Sequence, residues 1–212
     1  MKYLVQSSIF LLFVIGGCQK NPYQSFMIDN GKNAIASDYN PFQKSKKEAF
    51  LFKANIQVYG KDLGGLFLIK SIPDSSYKIA FTSEFGMKYM DLAFKGNRYT
   101  VNYCVDKLNN KAVLNTIVKD VRLLLSAVDS KSNALKFDSL QNQLIFQQKS
   151  KDMIGLSYAS KSGTIESMEG LTTNMSKFVT IKLKDYRKDL PSEIDIIHEK
   201  INLIIHLTLL EN

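Results

Sequence analysis

A period of two dominates the order of hydrophobic and polar residues from residue 48 to residue 105, which is the pattern of strands buried on one face, although residues 66–69 are apolar on both faces. In the first run Phe50 and Phe52 share a face, whereas Lys53 lies on the other. Clusters of Gly, Pro, Asn and Asp, of which 60–65 is the first, separate the runs and are typical of turns. The pattern predicts an antiparallel meander with five strands, at 50–58, 66–69, 77–83, 88–94 and 99–105.

The period changes to that of a helix after residue 110. Leu114, Ile117 and Val121 follow the i, i+3, i+7 spacing of an amphipathic segment, so residues 111–128 are predicted to form a helix. Its apolar face needs a partner, and the concave face of the preceding sheet is the nearest one. The expected class is therefore mainly β, of the α+β type. Further strand-like runs follow at 140–149, 153–159, 164–168, 175–183, 194–198 and 201–210.

The first seventeen residues have the features of a secretory signal. A basic start at Lys2 is followed by an apolar run over residues 9–15, which ends at Gly16 and Gly17. This run is too short to cross a hydrocarbon core about 30 Å thick. Residues 1–17 are therefore predicted to be a cleaved signal peptide rather than a membrane span.

The end of this signal has a more specific pattern. Ile15, Gly16, Gly17 and Cys18 resemble the bacterial lipobox, in which an aliphatic residue and two small residues precede a cysteine. The resemblance implies that Cys18 becomes the first residue and carries a thioether-linked diacylglycerol, usually with an N-acyl chain. Because each buried CH₂ contributes about 0.8 kcal/mol, two or three chains make a stable attachment. The expected partner is thus a membrane, reached through this lipid anchor.

The residues after Cys18 bear on location. Gln19 stands where an Asp would retain enterobacterial lipoproteins in the inner membrane, which favours the outer membrane and its periplasmic face. Lys20 supplies half of the Lys-plus-acidic signal of Bacteroidetes-type surface lipoproteins, so surface display stays open. Residues 18–47 have few regularly spaced apolar positions and are predicted to be a flexible tether. The folded domain is then residues 48–212.

The formal net charge of +8 would by itself suggest a nucleic-acid partner, because basic side chains neutralise backbone phosphates. However, only Arg98, Arg122 and Arg187 among the 28 basic residues are arginines, whereas surfaces that read bases or clamp phosphates favour the guanidinium. A lipobox also places the chain outside the cytosol. We therefore expect no nucleic-acid partner, and a solvated exterior rich in lysine.

Catalytic and metal-binding motifs are missing from the sequence, which has no Gly-x-Ser-x-Gly, no His-Glu-x-x-His and no P-loop. His198 and His206 are the only histidines, and no clustered carboxylate or thiolate accompanies them in the sequence. We expect a protein that is not an enzyme and that holds no metal and no cofactor. Asp138-Ser139-Leu140 resembles a short O-glycosylation acceptor, with a plain turn as the alternative.

Two segments and the order of the elements carry a family resemblance. The second strand is Gly65-Leu66-Phe67-Leu68-Ile69-Lys70, a helix lies in mid-chain, and Leu190-Pro191-Ser192-Glu193-Ile194-Asp195-Ile196 opens the closing strands. From Phe50 to the C-terminus the chain resembles the LolA/LolB superfamily, which comprises a periplasmic lipoprotein carrier, its outer-membrane receptor and their relatives. The resemblance implies an incomplete β-barrel: a curved antiparallel sheet with helices over its concave face, which accommodates acyl chains.

One residue can be carried over from the receptor branch of that superfamily. There a leucine protrudes just before a glycine, in the loop between the third and fourth strands, and enters the membrane to assist acyl transfer. Phe85, before Gly86, occupies the matching position. The alternative is that Phe85 folds back onto the core, because the residue is Phe rather than Leu and no Pro precedes it.

Two functions remain open from the sequence. The first is an anchored module whose open barrel binds an acyl chain, a lipoprotein ligand or another apolar ligand. The second is a structural or accessory envelope lipoprotein that uses the same scaffold to bind proteins. A filled barrel interior would favour the second, and the oligomeric state stays undetermined. The candidate cavity consists of Phe50, Phe52, Leu66, Leu68, Met90, Leu92, Leu114, Ile117 and Val121.

Overall fold

The computed structural model describes Tyr23 and residues 40–45, 47–73, 76–96, 98–125, 134–138 and 143–210, with the backbone alone for 134–138. The signal peptide, Cys18, Ser139 and the predicted last turn of the helix, 126–128, lie outside the described residues. The elements are α1 (Pro41–Lys44), β1 (Ala49–Val58), β2 (Lys61–Ile72), β3 (Ser76–Thr82), β4 (Lys88–Lys95), β5 (Arg98–Cys104), α2 (Lys111–Leu125), β6 (Ala134–Asp138), β7 (Gln143–Lys149), β8 (Ile154–Ala159), β9 (Ile165–Leu171), β10 (Lys177–Arg187), β11 (Leu190–His198) and β12 (Leu203–Leu209).

The twelve strands form one antiparallel sheet in the order β5-β4-β3-β2-β1-β12-β11-β10-β9-β8-β7-β6. The chain therefore enters at the middle of the sheet, meanders to the β5 edge, and crosses to the β6 edge before it meanders back. β1 and β12, the first and last strands, pair along Phe52–Val58. Because β5 and β6 remain at opposite ends of the order, the sheet does not close, which confirms the predicted incomplete barrel and its mainly β class.

The crossing between the two edges contains α2, which lies against the concave face. Its buried side chains join those of both meanders in a single core cluster. Gly155 of β8 allows close contact, because a Cβ atom there would lie 2.8 Å from the Leu123 side chain. The predicted position of the helix over the concave face is thus confirmed.

The end of the predicted tether belongs to the folded domain. Phe42 of α1 is buried and packs edge-on against Phe50, with ring centroids 5.2 Å apart. The side-chain amides of Asn40 and Gln43 donate to the carbonyls of Leu124 and Leu125, at 2.9 and 2.7 Å. These contacts satisfy terminal carbonyls of α2, which have no partner within the helix. The domain therefore begins at or before Asn40 rather than at residue 48.

The predicted turn at 60–65 is shorter in the structure. β1 and β2 are joined by Tyr59 and Gly60 alone, and both have positive φ angles, as expected of a two-residue hairpin. Gly64 and Gly65 lie inside β2, opposite Asn55 and Ala54 of β1. The sequence prediction was wrong here because it took two strand glycines for turn residues.

Antiparallel pairing gives the sheet two distinct ends. We call one of them the Phe85 end: it consists of the turns at 59–60, 83–87, 150–153, 172–176 and 199–202. The other end carries the connections from β2 to β3, from β4 to β5, from β8 to β9 and from β10 to β11.

Candidate functional site

The concave face is lined by hydrophobic side chains from both the sheet and the helix. Seven of the nine predicted cavity residues lie there, and each is less than a tenth exposed. α2 covers the face so closely that the side chains form a packed core rather than an open trough. The seven are Phe50, Phe52, Met90, Leu92, Leu114, Ile117 and Val121.

Leu66 and Leu68 are the other two, and the structure places them on the opposite face. Leu68 pairs with the partly buried Leu51, whereas Phe67 and Ile69, the neighbours of Leu68 in β2, point into the core. The cause is the two-residue hairpin, which pairs even positions of β1 with odd positions of β2, as in Phe52 with Phe67. A one-residue change of parity transfers every side chain to the other face. The prediction for Leu66 and Leu68 was therefore wrong.

The loop at 83–87 carries the most exposed large hydrophobic side chain among the described residues. Ser83 N–H donates to Met87 O at 2.7 Å, Gly86 N–H donates to Ser83 O at 3.0 Å, and Met87 N–H donates to Ser83 Oγ at 3.0 Å. Gly86 has a φ of 83°, which glycine adopts without strain. Phe85 projects from this turn and is 98% exposed. The structure thus places Phe85 outward rather than folded back onto the core.

Two other exposed hydrophobic side chains belong to the same set of turns as Phe85. Met87 is 63% exposed, and Tyr59, in the turn between β1 and β2, is 57% exposed. Exposed hydrophobic residues scattered singly are ordinary, but a group at one end of a domain is typical of a surface that contacts a partner or a membrane. The Phe85 end is therefore the candidate contact surface.

α2 is joined to the sheet by a buried ion pair that the sequence analysis missed. His198 Nε2 of β11 lies 3.1 and 3.0 Å from Asp120 Oδ1 and Oδ2, and both side chains are 1% exposed. His198 Nδ1 donates to the carbonyl of Leu203 at 2.7 Å. Because Nδ1 carries the hydrogen that is donated to Leu203, a proton on Nε2 makes the imidazole cationic and lies in the hydrogen bond to the Asp120 carboxylate. A carboxylate at position 120, on the apolar side of the predicted helix, was the available signal.

The surroundings of the pair shift both of its pKa values upward. Burial raises the pKa of Asp120, and the hydrogen bond and charge of His198 and the charge of Lys119 only partly offset this. Burial by itself lowers the pKa of His198, but the hydrogen bond and charge of Asp120, with the Leu203 carbonyl, outweigh it and raise that pKa. The folded protein therefore holds protons that the unfolded chain releases.

This gives a prediction for the pH dependence of stability. The contribution of His198 to the free energy of unfolding is complete below the ordinary imidazole pKa of about 6.5, and it is lost as the pH rises through the higher folded value. Asp120 acts with the same sign. We expect urea unfolding between pH 6 and pH 9 to show stability falling with pH, and the double variant Asp120→Asn with His198→Gln to flatten the curve, because it removes both titrating groups. An equal slope in both proteins would contradict the assignment.

His206 lies in an exposed counterpart of this pair. Its Nδ1 is 2.7 Å from Asp195 Oδ1, and Lys184 Nζ is 2.5 Å from Asp195 Oδ2. Burial tends to raise the pKa of Asp195, but these hydrogen bonds and charges hold it below its ordinary value. Among the residues that the structure describes, no group of three or more His, Cys, Asp or Glu residues is placed to hold a metal ion. None of the described helices is both long and apolar enough to span a bilayer.

Comparison with solved structures shows one that shares this architecture. A LolA superfamily protein from Nitrosomonas europaea superposes with a TM-score of 0.53 at 8% sequence identity, over 83% of this chain and 90% of that chain. The fold is LolA-like. A DUF1329 family protein from Desulfovibrio piger has a TM-score of 0.48 at 7% identity, over 83% and 90% of the two chains. A domain named for outer membrane lipoprotein sorting, from Vibrio parahaemolyticus, has a TM-score of 0.48 at 6% identity, over 84% and 90%.

Comparisons of the sequence itself give no match, either to a protein-family model or to a curated protein. At 8% identity the likeness to the LolA superfamily protein concerns the fold alone. Within this LolA-like fold, the features that bear on function are the packed concave face under α2, the Asp120–His198 pair and the Phe85 end.

Proposed function

We propose that this protein is a non-enzymatic envelope lipoprotein, attached to the outer membrane through Cys18, whose LolA-like barrel handles an acyl chain or another apolar ligand. The observation that carries the proposal is the exposure of Phe85, held outward by a hydrogen-bonded turn. An apolar side chain in water at the tip of a turn gains free energy if it enters lipid. The LolA superfamily name of the structural neighbour supports a role in lipoprotein handling.

The Phe85 loop is suited to touch a membrane without crossing it. Transfer of a phenylalanine side chain from water to an apolar phase contributes about 1.5–3 kcal/mol, which is enough to bias the orientation of an anchored domain. Ser83 fixes the base of the loop, so little conformational entropy is lost on insertion. The loop is therefore proposed as the place where an acyl chain passes between barrel and bilayer.

Substitution of Phe85 tests the membrane contact. We expect Phe85→Asp to weaken binding of the unlipidated domain to phospholipid vesicles by roughly 10- to 150-fold, the equivalent of 1.5–3 kcal/mol. The matched control is Tyr103→Asp, which replaces an aromatic residue that is 46% exposed on the edge strand β5. Flotation of vesicles with bound protein measures the effect. Equal loss in the two variants, or no loss in Phe85→Asp, would refute a specific role for the loop.

Acyl binding needs space that α2 now occupies. An acyl chain could reach the concave face only if α2 moved, because the side chains beneath it have almost no exposed surface. Native mass spectrometry of the domain purified from membranes, together with uptake of a fluorescent fatty acid, tests this part of the proposal. Bound lipid or saturable uptake is the expected result. Absence of both would defeat ligand handling.

The packed interior is also the observation that favours a second candidate function. A LolA-like scaffold with a filled concave face would serve as an accessory envelope lipoprotein that binds proteins through its outer surface. This candidate predicts no lipid in the purified domain and no fatty-acid uptake. The same measurement therefore separates the two functions.

The membrane attachment has its own test. Metabolic labelling with palmitate should mark the protein, and Cys18→Ala should remove the label because the thioether-linked diacylglycerol then has no sulfur to carry it. Cys104→Ala replaces the other cysteine and provides the control. Unchanged labelling of Cys18→Ala would refute the anchor.

A further inference from the structure

A second hydrophobic cluster lies on the outer face of the sheet, away from the core. Its side chains alternate along β7, β8 and β9 with core residues such as Phe146 and Met168. Tyr23, Tyr158 and Met175 pack against it. The outer face of an antiparallel sheet ordinarily meets water and is polar, so a buried cluster here requires a cover. We call it the outer cluster; it consists of Ile145, Ile154, Leu156 and Leu171.

Tyr23 is held at the outer cluster by polar contacts as well. Its hydroxyl hydrogen-bonds the Glu169 carboxylate, and burial together with that carboxylate raises the pKa of Tyr23. Glu169 also accepts from Tyr158 OH at 2.7 Å and from Lys177 Nζ at 3.3 Å. Hydrogen bonds to a charged acceptor are stronger than those between neutral groups. Tyr23 is thus held both by apolar packing against the outer cluster and by a hydrogen bond to a charged group. We call this set of contacts the Tyr23 seat.

This seat is close to the Phe85 end of the sheet. β9 ends at Leu171, two residues after Glu169, and the turn that follows belongs to the Phe85 end. Lys177, the first residue of β10, lies on the far side of the same turn. Tyr23 is five residues after Cys18 in the sequence, and five extended residues span at most about 18 Å. A lipid carried by Cys18 is therefore confined to the neighbourhood of this end.

We propose that Tyr23 fixes the chain to the outer cluster, so that the lipid on Cys18 and the Phe85 loop meet the bilayer at the same end of the sheet. The inference rests on the proposed function, because it takes the lipid anchor and the Phe85 contact as its two points of attachment. A domain held at two points keeps one orientation, whereas a single long tether allows many. The partner of this end is a lipid surface.

Tether length sets the expected size of the effect. When Tyr23 is bound at the outer cluster, the chain between the lipid and the domain has five residues. When Tyr23 is not bound, the next described residue is Asn40, 22 residues from Cys18. Effective concentration falls as about the −3/2 power of tether length, so insertion of the loop becomes roughly ninefold less favourable. The lipid anchor itself is unaffected, so the protein stays on the vesicle.

A fluorescence experiment on the lipidated full chain tests the inference. The protein has no tryptophan, so Phe85→Trp introduces a single probe into the loop. The lipidated protein is reconstituted in phosphatidylcholine–phosphatidylglycerol vesicles, and quenching by brominated lipids measures insertion. We expect quenching with Tyr23 present, roughly ninefold weaker partitioning with Tyr23→Ala, and a smaller decrease with Tyr23→Phe, which keeps the ring and loses the hydroxyl. Tyr103→Ala, on β5, is the control that should change nothing.

The outcomes separate the two proposals. Equal quenching with and without Tyr23 overturns the orientation inference and leaves the membrane role of Phe85 standing. No quenching even with Tyr23 overturns that membrane role and the inference with it. Amide hydrogen exchange of β8 and β9 adds a readout that needs no lipid. Tyr23→Ala should speed exchange in these strands because it removes the cover of the outer cluster, and unchanged exchange overturns the orientation inference. Unfolding curves that match the parent protein show that the variants are folded.

Discussion

Truncation of either partner in the Asp120–His198 pair should lower the free energy of unfolding by about 3–5 kcal/mol, measured by urea denaturation of Asp120→Ala and His198→Ala. Both side chains are 1% exposed, so the group that remains loses the partner to which it is hydrogen-bonded and stays out of water. The loss is large because an unpaired buried charge keeps its full desolvation cost. The same substitutions also loosen the attachment of α2 to β11.

The chain offers a matched control in the exposed pair of the same residue types. His206 and Asp195 approach to 2.7 Å, but half of the His206 side chain is exposed. Water and salt screen such a pair, so His206→Ala should cost at most about 1 kcal/mol. The double variant Asp120→Ala with His198→Leu should recover much of the loss, because it leaves neither partner of the pair unsatisfied. Equal losses in the buried and exposed pairs would contradict this account.

This pair also bears on how the barrel could work. Any ligand that enters beneath α2 must separate the helix from the sheet, and the Asp120–His198 pair is a buried polar contact that resists this separation. Because the contact depends on the His198 proton, it becomes weaker as the pH rises through the raised pKa of His198. Uptake of a fluorescent fatty acid should therefore increase with pH in step with the loss of stability.

Sequence periodicity predicted most of the sheet and the helix, and the exceptions have physical causes. Alternation located β1 because it has one buried face, so its hydrophobic residues repeat every second position. β2 is apolar on both faces, so periodicity does not show which of its residues face the core. The two-residue hairpin decides this, because it sets the register with β1 in which Phe67 and Ile69 are buried.

The candidate site was predicted only in part, because a sequence pattern shows local features but not which distant residues meet in the fold. Phe85 could be named because it precedes a glycine in a turn between two recognisable strands. Tyr23 and Glu169, in contrast, are 146 positions apart in the sequence, and no local pattern joins them. Asp120 is the intermediate case: its place on an apolar helix face signals a buried partner, but nothing local identifies His198, 78 residues further on.

The two adjacent glycines of β2 should differ sharply when each is replaced by alanine. A Cβ atom at Gly65 would lie 1.9 Å from the carbonyl oxygen of Thr82 and 3.1 Å from the Cα atom of Ser83. Both are backbone atoms of the neighbouring strand and its loop, so no side chain can rotate away to make room. We expect Gly65→Ala to lower the free energy of unfolding by about 3 kcal/mol, the upper end of the usual cost of overpacking.

Gly64 provides the control, because a Cβ atom there meets nothing within 4 Å. Gly64→Ala should be neutral or should stabilise the domain by about 0.4–1 kcal/mol, since alanine reduces the entropy of the unfolded chain. Gly65→Ala should also weaken vesicle binding, because the atoms it displaces form the base of the Phe85 loop. Similar unfolding curves for the two variants would mean that β2 and β3 are not packed this closely. Normal vesicle binding by a destabilised Gly65→Ala protein would show instead that the loop keeps its shape when β3 shifts.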